Sequence, residues 1–181
     1  MAKSELAEKI EKLAMDHGYG FVGYTTADKL EPTEDVRDMC AANRCKSYDR
    51  SWSCPPACGT VDEFREKIAS YDECIVFQTV RELEDEFDFE TMTETIEDHN
   101  ERLPGFADDV RELAPNCMVL SAGTCTICSE CSYPDEPCRF PEKRFTSMEA
   151  AGLVVSRTCV AADIPYNHGS DHIAYVSCVL F

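Results

Sequence analysis

Three cysteines in the spacing C-x2-C-x2-C, Cys125, Cys128 and Cys131, with Cys138 six residues further on, constrain this chain more than any other feature. They lie in CTICSECSYPDEPCRFP, where Pro137 and Pro141 flank the fourth cysteine. Thiolates three residues apart on a tight loop can turn toward one point, and there they bind a soft metal centre rather than repel one another. Zinc sites more often use separated C-x2-C pairs, whereas an unbroken triplet opens the bacterial ferredoxin pattern. The spacing therefore leans toward an iron–sulfur cluster, with zinc, then disulfides or free thiols, as alternatives.

A second cysteine-rich loop precedes it, CAANRCKSYDRSWSCPPACG, with Cys40, Cys45, Cys54 and Cys58. Four cysteines within nineteen residues predict a second metal site there. Either Cys58 is its fourth ligand or one iron is left open. Pro55 and Pro56 stiffen the turn and withhold helix-type hydrogen bonds. Trp52, the single tryptophan, reads either as an apolar shield for this site or as an ordinary core aromatic.

The remaining four of the twelve cysteines read as structural. Cys74 and Cys117 fall in strands expected to be buried, where a free thiol behaves as a small hydrophobe. Cys159 and Cys178 fall in the last helix and strand, and either could stand in for an absent ligand. Twelve cysteines in 181 residues suit either a disulfide scaffold or a metal protein. The charged, amphipathic start MAKSELAEKIEKLAMDHG has no apolar core segment and no cleavage site. No apolar run reaches the length of a membrane span. The expected compartment is thus the reducing cytoplasm, with no membrane association.

The net charge of −18 disfavours nucleic acid, whose phosphates would be repelled. The charge is uneven. Arg81 to Glu112 carries 13 acidic and 3 basic residues, while Val36 to Gly59 is net positive by two. The acidic block reads as a solvated helix face or as a docking surface for a basic redox partner protein.

The pattern along the chain predicts a single α/β domain over residues 1–181, with a roughly four-stranded, mixed and partly parallel sheet. Lys3 to His17 has an amphipathic helical spacing closed by Gly18, and Tyr19 to Thr25 is a strand. Thr60-Val61-Asp62-Glu63 is a capping box that opens a helix through Ser70. The apolar run Cys74 to Val80 is a central strand buried on both faces. Phe89, Met92, Ile96, His99 and Leu103 form a helix face that Pro104-Gly105 ends, and Phe106 to Leu113 is a second short helix. His99 there reads as a core histidine rather than a ligand. Cys117 to Ala122 is the third strand. Thr146-Ser147-Met148-Glu149 reads as another capping box, opening a helix that Pro165 stops, and Ile173 to Phe181 is the last strand. Two halves then share the order strand, cysteine loop, capped helix. If the strands Tyr19–Thr25 and Cys117–Ala122 are parallel, both loops leave one edge of the sheet.

WSCPPACG, SAGTCTICSEC, PCRFPEKRFTSMEAAG and the closing VLF together resemble the signature segments of the domain-of-unknown-function family 2284. Its members are small predicted metal-binding proteins mostly of anaerobic bacteria and archaea, and the similarity runs from about Val36 to Phe181. The resemblance implies two cysteine-ligated 4Fe–4S clusters, one on Cys40, Cys45, Cys54 and Cys58 and one on Cys125, Cys128, Cys131 and Cys138. Arg139, Lys143 and Arg144 would stabilise the reduced second cluster, or form salt bridges to Glu142 and Glu149.

No GxGxxG after a strand, no P-loop and no Cys–His–Asp arrangement is present. The leading function is low-potential electron transfer. An iron–sulfur enzyme with one open iron is the alternative, suggested by Cys58, the basic residues and Tyr166-Asn167-His168. A zinc-binding interaction module is the other.

Overall fold

A computed structural model describes residues 3–181. In chain order the elements are α1 (Glu5–Asp16), β1 (Phe21–Thr26), α2 (Glu34–Ala41), α3 (Val61–Ile68), β2 (Glu73–Glu82), α4 (Phe89–Leu113), β3 (Met118–Ser121), β4 (Thr146–Ser147), α5 (Val155–Ala161) and β5 (His172–Leu180). The strands form one sheet in the order β1-β2-β5-β3-β4. It has five strands where about four were expected. The fifth is β4, a two-residue strand that pairs parallel with β3. The other three pairings are antiparallel.

The sheet is buried on both faces because successive side chains of a strand point to opposite sides. From β2, Ile75 and Phe77 join Ala7, Ile10 and Ala14 of α1 and Leu103, Phe106, Ala107 and Val110 of α4. Cys74 and Val76 join Phe64 and Ile68 of α3, Cys159 of α5 and Met148 and Leu153 on the other side. The central strand read from CIVFQTV is therefore confirmed. Cys74, Cys159 and Cys178 are fully buried members of that second layer, and Cys117 is half-buried beside β3. Gly23 of β1 lets the end of α5 approach, since a Cβ there would stand 2.2 Å from the Ala162 carbonyl oxygen.

Thr60 and Glu63 form the expected capping box. The Glu63 amide donates to Thr60 Oγ1 at 3.2 Å and the Thr60 amide donates to Glu63 Oε2 at 2.7 Å. Thr60→Ala removes one of these partners and is expected to cost about 1 kcal/mol, read as a shifted midpoint in urea unfolding.

Three expectations are corrected. Pro104 does not end its helix, because α4 runs through it for 25 residues. Losing a backbone hydrogen bond and crowding the previous turn costs about 3 kcal/mol. Burying Thr95, His99, Leu103, Phe106, Ala107 and Val110 along one continuous face against the sheet offsets that cost. Phe89, expected on that face, is exposed. Thr146-Ser147-Met148-Glu149 opens no helix. Ser147 Oγ accepts from the Ala150 amide and the Ser147 carbonyl from Ala151. Gly152 at φ +88° then turns the chain, and α5 starts only at Val155. Finally, β1 and β3 run in opposite directions, as the three successive antiparallel pairings require. The two cysteine loops do not leave the same edge from parallel strands. The first loop, which follows α2, nevertheless meets the second through direct contacts.

Among the described residues no helix is long and apolar enough to cross a membrane.

Candidate metal centre

Loop geometry comes first. After α2 the chain turns through Asn43, Lys46 and Asp49, all at positive φ without being glycine, a conformation that persists only where surrounding bonds enforce it. Asn43 Oδ1 accepts the Tyr48 amide at 3.1 Å, and the Asp49 amide donates to the Pro55 carbonyl at 2.8 Å. The second loop, residues 122–145, contains no helix or strand.

The two loops are laced together. The Cys125 amide donates to Ser53 Oγ at 3.2 Å, and Cys54 Sγ lies 3.2 Å from Thr124 Oγ1. Trp52 Nε1 donates to the Glu136 carbonyl at 3.0 Å, and the Tyr133 hydroxyl donates to Asp49. The Trp52 and Tyr133 rings meet edge to face with centroids 5.0 Å apart. Each loop supplies the polar partners that the other lacks.

Cys125, Cys128, Cys131 and Cys138 line a single pocket, together with Trp52, Phe140, Arg139 and Arg144. Trp52 thus shields the second loop's thiols, not those of its own loop. Slight burial raises the Cys131 thiol. The Trp52 and Tyr133 amides, the Ser51 hydroxyl and the Arg139 charge outweigh this and hold it below its usual range. Burial pushes the Cys125 thiol up, only partly offset by the Ile127 and Phe145 backbone. Arg139 Nη1 donates to the Glu130 carbonyl at 2.8 Å. Among the described residues neither Arg139, Lys143 nor Arg144 forms a salt bridge to Glu142 or Glu149.

Cys40, Cys45 and Cys54 line a second pocket, of about 500 Å³, alongside Arg44, Tyr48, Ile96, Thr124 and Glu149. Cys58 does not line it. Its thiol is buried in the core, with Sγ 3.8 Å from the Ala150 carbonyl oxygen. Burial raises it, and the Arg37 charge opposes that rise.

Among the described residues no three His, Cys, Asp or Glu side chains converge closely enough to hold one metal ion. A zinc site needs four donors at about 2.0–2.3 Å from a single ion. A cluster binds each thiolate through a different iron, so its sulfurs stand around a cavity instead of meeting at a point.

Arg37 carries an independent sign of an anion. α2 places it three residues before Cys40, and its Nη1 donates to the Gly59 carbonyl at 2.7 Å. Its Nε and Nη2 are closed off from solvent with no acceptor among the described residues. Buried charged donors left unmade are costly. The Arg37 charge acts on both the Cys40 and the Cys58 thiol. Sequence reading counted Arg37 only as a charge. Its one-turn offset from Cys40 on a helix was the signal available.

His99, the one histidine on the α4 face, is a core residue as expected. It is fully buried, with Nδ1 2.8 Å from Thr79 Oγ1 and Nε2 2.7 Å from Ser177 Oγ.

A family model described as a predicted metal-binding protein (DUF2284) matches residues 24–181. No protein of curated function matches the chain. Among solved structures, the epoxyqueuosine reductase from Streptococcus thermophilus is similar at 12% identity and a TM-score of 0.45. The match covers 98% of this chain and 46% of that one, so this chain spans about half of its length.

Proposed function

The chain belongs to the DUF2284 family of predicted metal-binding proteins, and on that footing we propose that its metal sites are two 4Fe–4S clusters that carry electrons at low potential. The observation behind this reading is the pair of adjoining pockets, one walled by four thiols and the other by three. They are joined through Cys54–Thr124 and Ser53–Cys125. When bound, such a cluster accepts and releases one electron.

The chain's own residues set the conditions. Trp52, Ile127 and Phe140 limit water at the second pocket, and solvent exposure is one of the controls on cluster potential. Arg139 and Arg144 bring positive charge to the second site and Arg37 to the first, which favours the more negative reduced state. The acidic residues of α4 and of the turn before it offer a face to a basic redox partner in the cytoplasm.

Protein purified without oxygen should hold about eight irons and eight acid-labile sulfides per chain, with a brown colour that bleaches on reduction. Zinc without sulfide would overturn the proposal and leave a structural zinc module. A second reading, an iron–sulfur enzyme with one exchangeable iron, is favoured by a specific observation: Cys58 is buried and does not line the first pocket with Cys40, Cys45 and Cys54.

A further inference from the structure

Phe87 and Phe89 stand side by side in water at the start of α4. They are 67% and 66% exposed, and their rings meet edge to face with centroids 6.5 Å apart. Single exposed apolar residues are ordinary, but two adjoining phenylalanines make a patch that gains free energy when it is covered. The turn that carries them is held in one shape. The Leu83 amide donates to the Asp171 carbonyl at 2.7 Å, and the Phe87 amide donates to Asp85 Oδ1 at 2.7 Å. Asp88 caps α4 by accepting the Thr91 amide at 3.0 Å, and its other oxygen accepts the Glu84 amide at 3.1 Å. The backbone under both rings is therefore fixed ahead of any contact, which lowers the entropy lost on docking.

Charge selects what covers them. Residues 84–90 carry five acids, Glu84, Asp85, Glu86, Asp88 and Glu90, and no base. None of the five pairs with a cation among the described residues. An anionic membrane surface would be repelled, and so would the same face of a second copy, given a net charge of −18. A partner with an apolar cleft ringed by lysine or arginine meets both the rings and the carboxylates. Phe89 and Ile96 are seven residues apart on α4, within about 20° of one face and about 10 Å along the axis. Ile96 lines the pocket of Cys40, Cys45 and Cys54, so a partner seated on Phe89 lies about two helical turns from that site.

We propose that Phe87 and Phe89 are the apolar anchors of a docking site for a basic one-electron redox protein, with Glu84, Glu86 and Glu90 as its charged rim. This rests on the electron-transfer reading and adds to it where electrons leave. One electron passes from a reduced cluster of this chain, which becomes oxidised, to the oxidised centre of the partner, which becomes reduced. The carboxylates steer the approach, and the buried rings set how long the complex lasts.

The probe is ferric cytochrome c, a basic protein whose apolar haem edge is ringed by lysines. Its binding to the chain purified without oxygen is measured by calorimetry across a range of salt. Phe87→Ser and Phe89→Ser should each raise the dissociation constant about tenfold and leave its dependence on salt unchanged. Glu84→Gln combined with Glu86→Gln and Glu90→Gln should weaken binding at low salt and flatten that dependence. Val160→Ser, at an apolar residue of α5 that is 76% exposed, should bind as wild type does. A wild-type chain that does not bind, or phenylalanine variants that bind as tightly as wild type, would overturn the assignment. So would a wild-type chain that dimerises, or settles on phosphatidylcholine vesicles, through the same two rings. Electron transfer is read separately, as haem reduction by the dithionite-reduced chain. Binding that depends on both rings without haem reduction supports the docking site and sinks the electron-carrier reading. Haem reduction that ignores both substitutions does the reverse.

Discussion

Cys131→Ser is expected to remove about half the iron and sulfide of the chain, leaving the first centre in place. Cys131 is one of four thiols on one pocket wall, and hydrogen bonds from Trp52, Tyr133 and Ser51 already favour its thiolate. A serine hydroxyl keeps the size but is too weak an acid and too hard a donor to replace it. Residues 122–145 have no regular secondary structure of their own, so the free energy of cluster binding is also the free energy that orders this loop. The variant should therefore be cut by protease within 122–145 much faster than the wild type, while α4 and the sheet stay resistant. Iron removal by a chelator should produce the same cleavage in the wild-type chain. Loss of all the iron would contradict the separate donor sets, and loss of none would remove Cys131 from the centre.

The lacing between the loops adds a condition. Trp52 and Ser51 belong to the first loop but hold the second loop's thiol. Cys125 is reached in turn by the hydroxyl of Ser53. Losing one centre should loosen the other without emptying it, seen as faster iron release from the surviving site in air.

Short covalent distance along a loop limits where its thiols can go, and Cys125, Cys128, Cys131 and Cys138 line one pocket. The first loop was less legible. Cys58 stands two residues before Thr60, the N-cap of α3, and packs in that helix's layer, and the loop's neighbours in space, Glu149 and Thr124, come from beyond β3. Helix starts such as Thr60 were readable because a capping box is local. The Thr146–Glu149 segment carries the same letters, yet pairing with β3 claims its backbone first. Pro104 failed as a stop signal for a similar reason, since the burial of Leu103, Phe106 and Val110 outweighs a local preference. The relative direction of β1 and β3 was not encoded in either strand. It follows from β2 and β5 intervening between them.

His99 gives the second large effect. Its imidazole bridges β2 through Thr79 and β5 through Ser177. Thr79 Oγ1 accepts from Arg102 Nη2 at 3.0 Å, so its own proton is free for Nδ1, and Nε2–H donates to Ser177. Burial first, and then the Arg102 charge, hold the imidazole down at about 3. In the unfolded chain it titrates near 6.5. Above that pH neither state carries the proton. As pH falls below 6.5 the unfolded chain binds a proton that the native chain refuses, so stability is lost, at roughly 1.4 kcal/mol per pH unit. Between pH 6.5 and 5 that amounts to about 2 kcal/mol. Glu73, Asp88 and Asp171 are held below their usual carboxylate range, so their contributions fall away only at lower pH. His99→Gln keeps the size but can serve only one hydroxyl well, and is expected to cost about 1–3 kcal/mol at pH 7. It also removes the titration. Urea unfolding of the two chains should therefore give curves of stability against pH that converge from pH 7 toward 5. Loss of metal in acid affects both chains alike and cancels in their difference. Parallel curves would show that His99 takes up its proton at the same pH in the native and unfolded chains, and that burial does not keep it neutral.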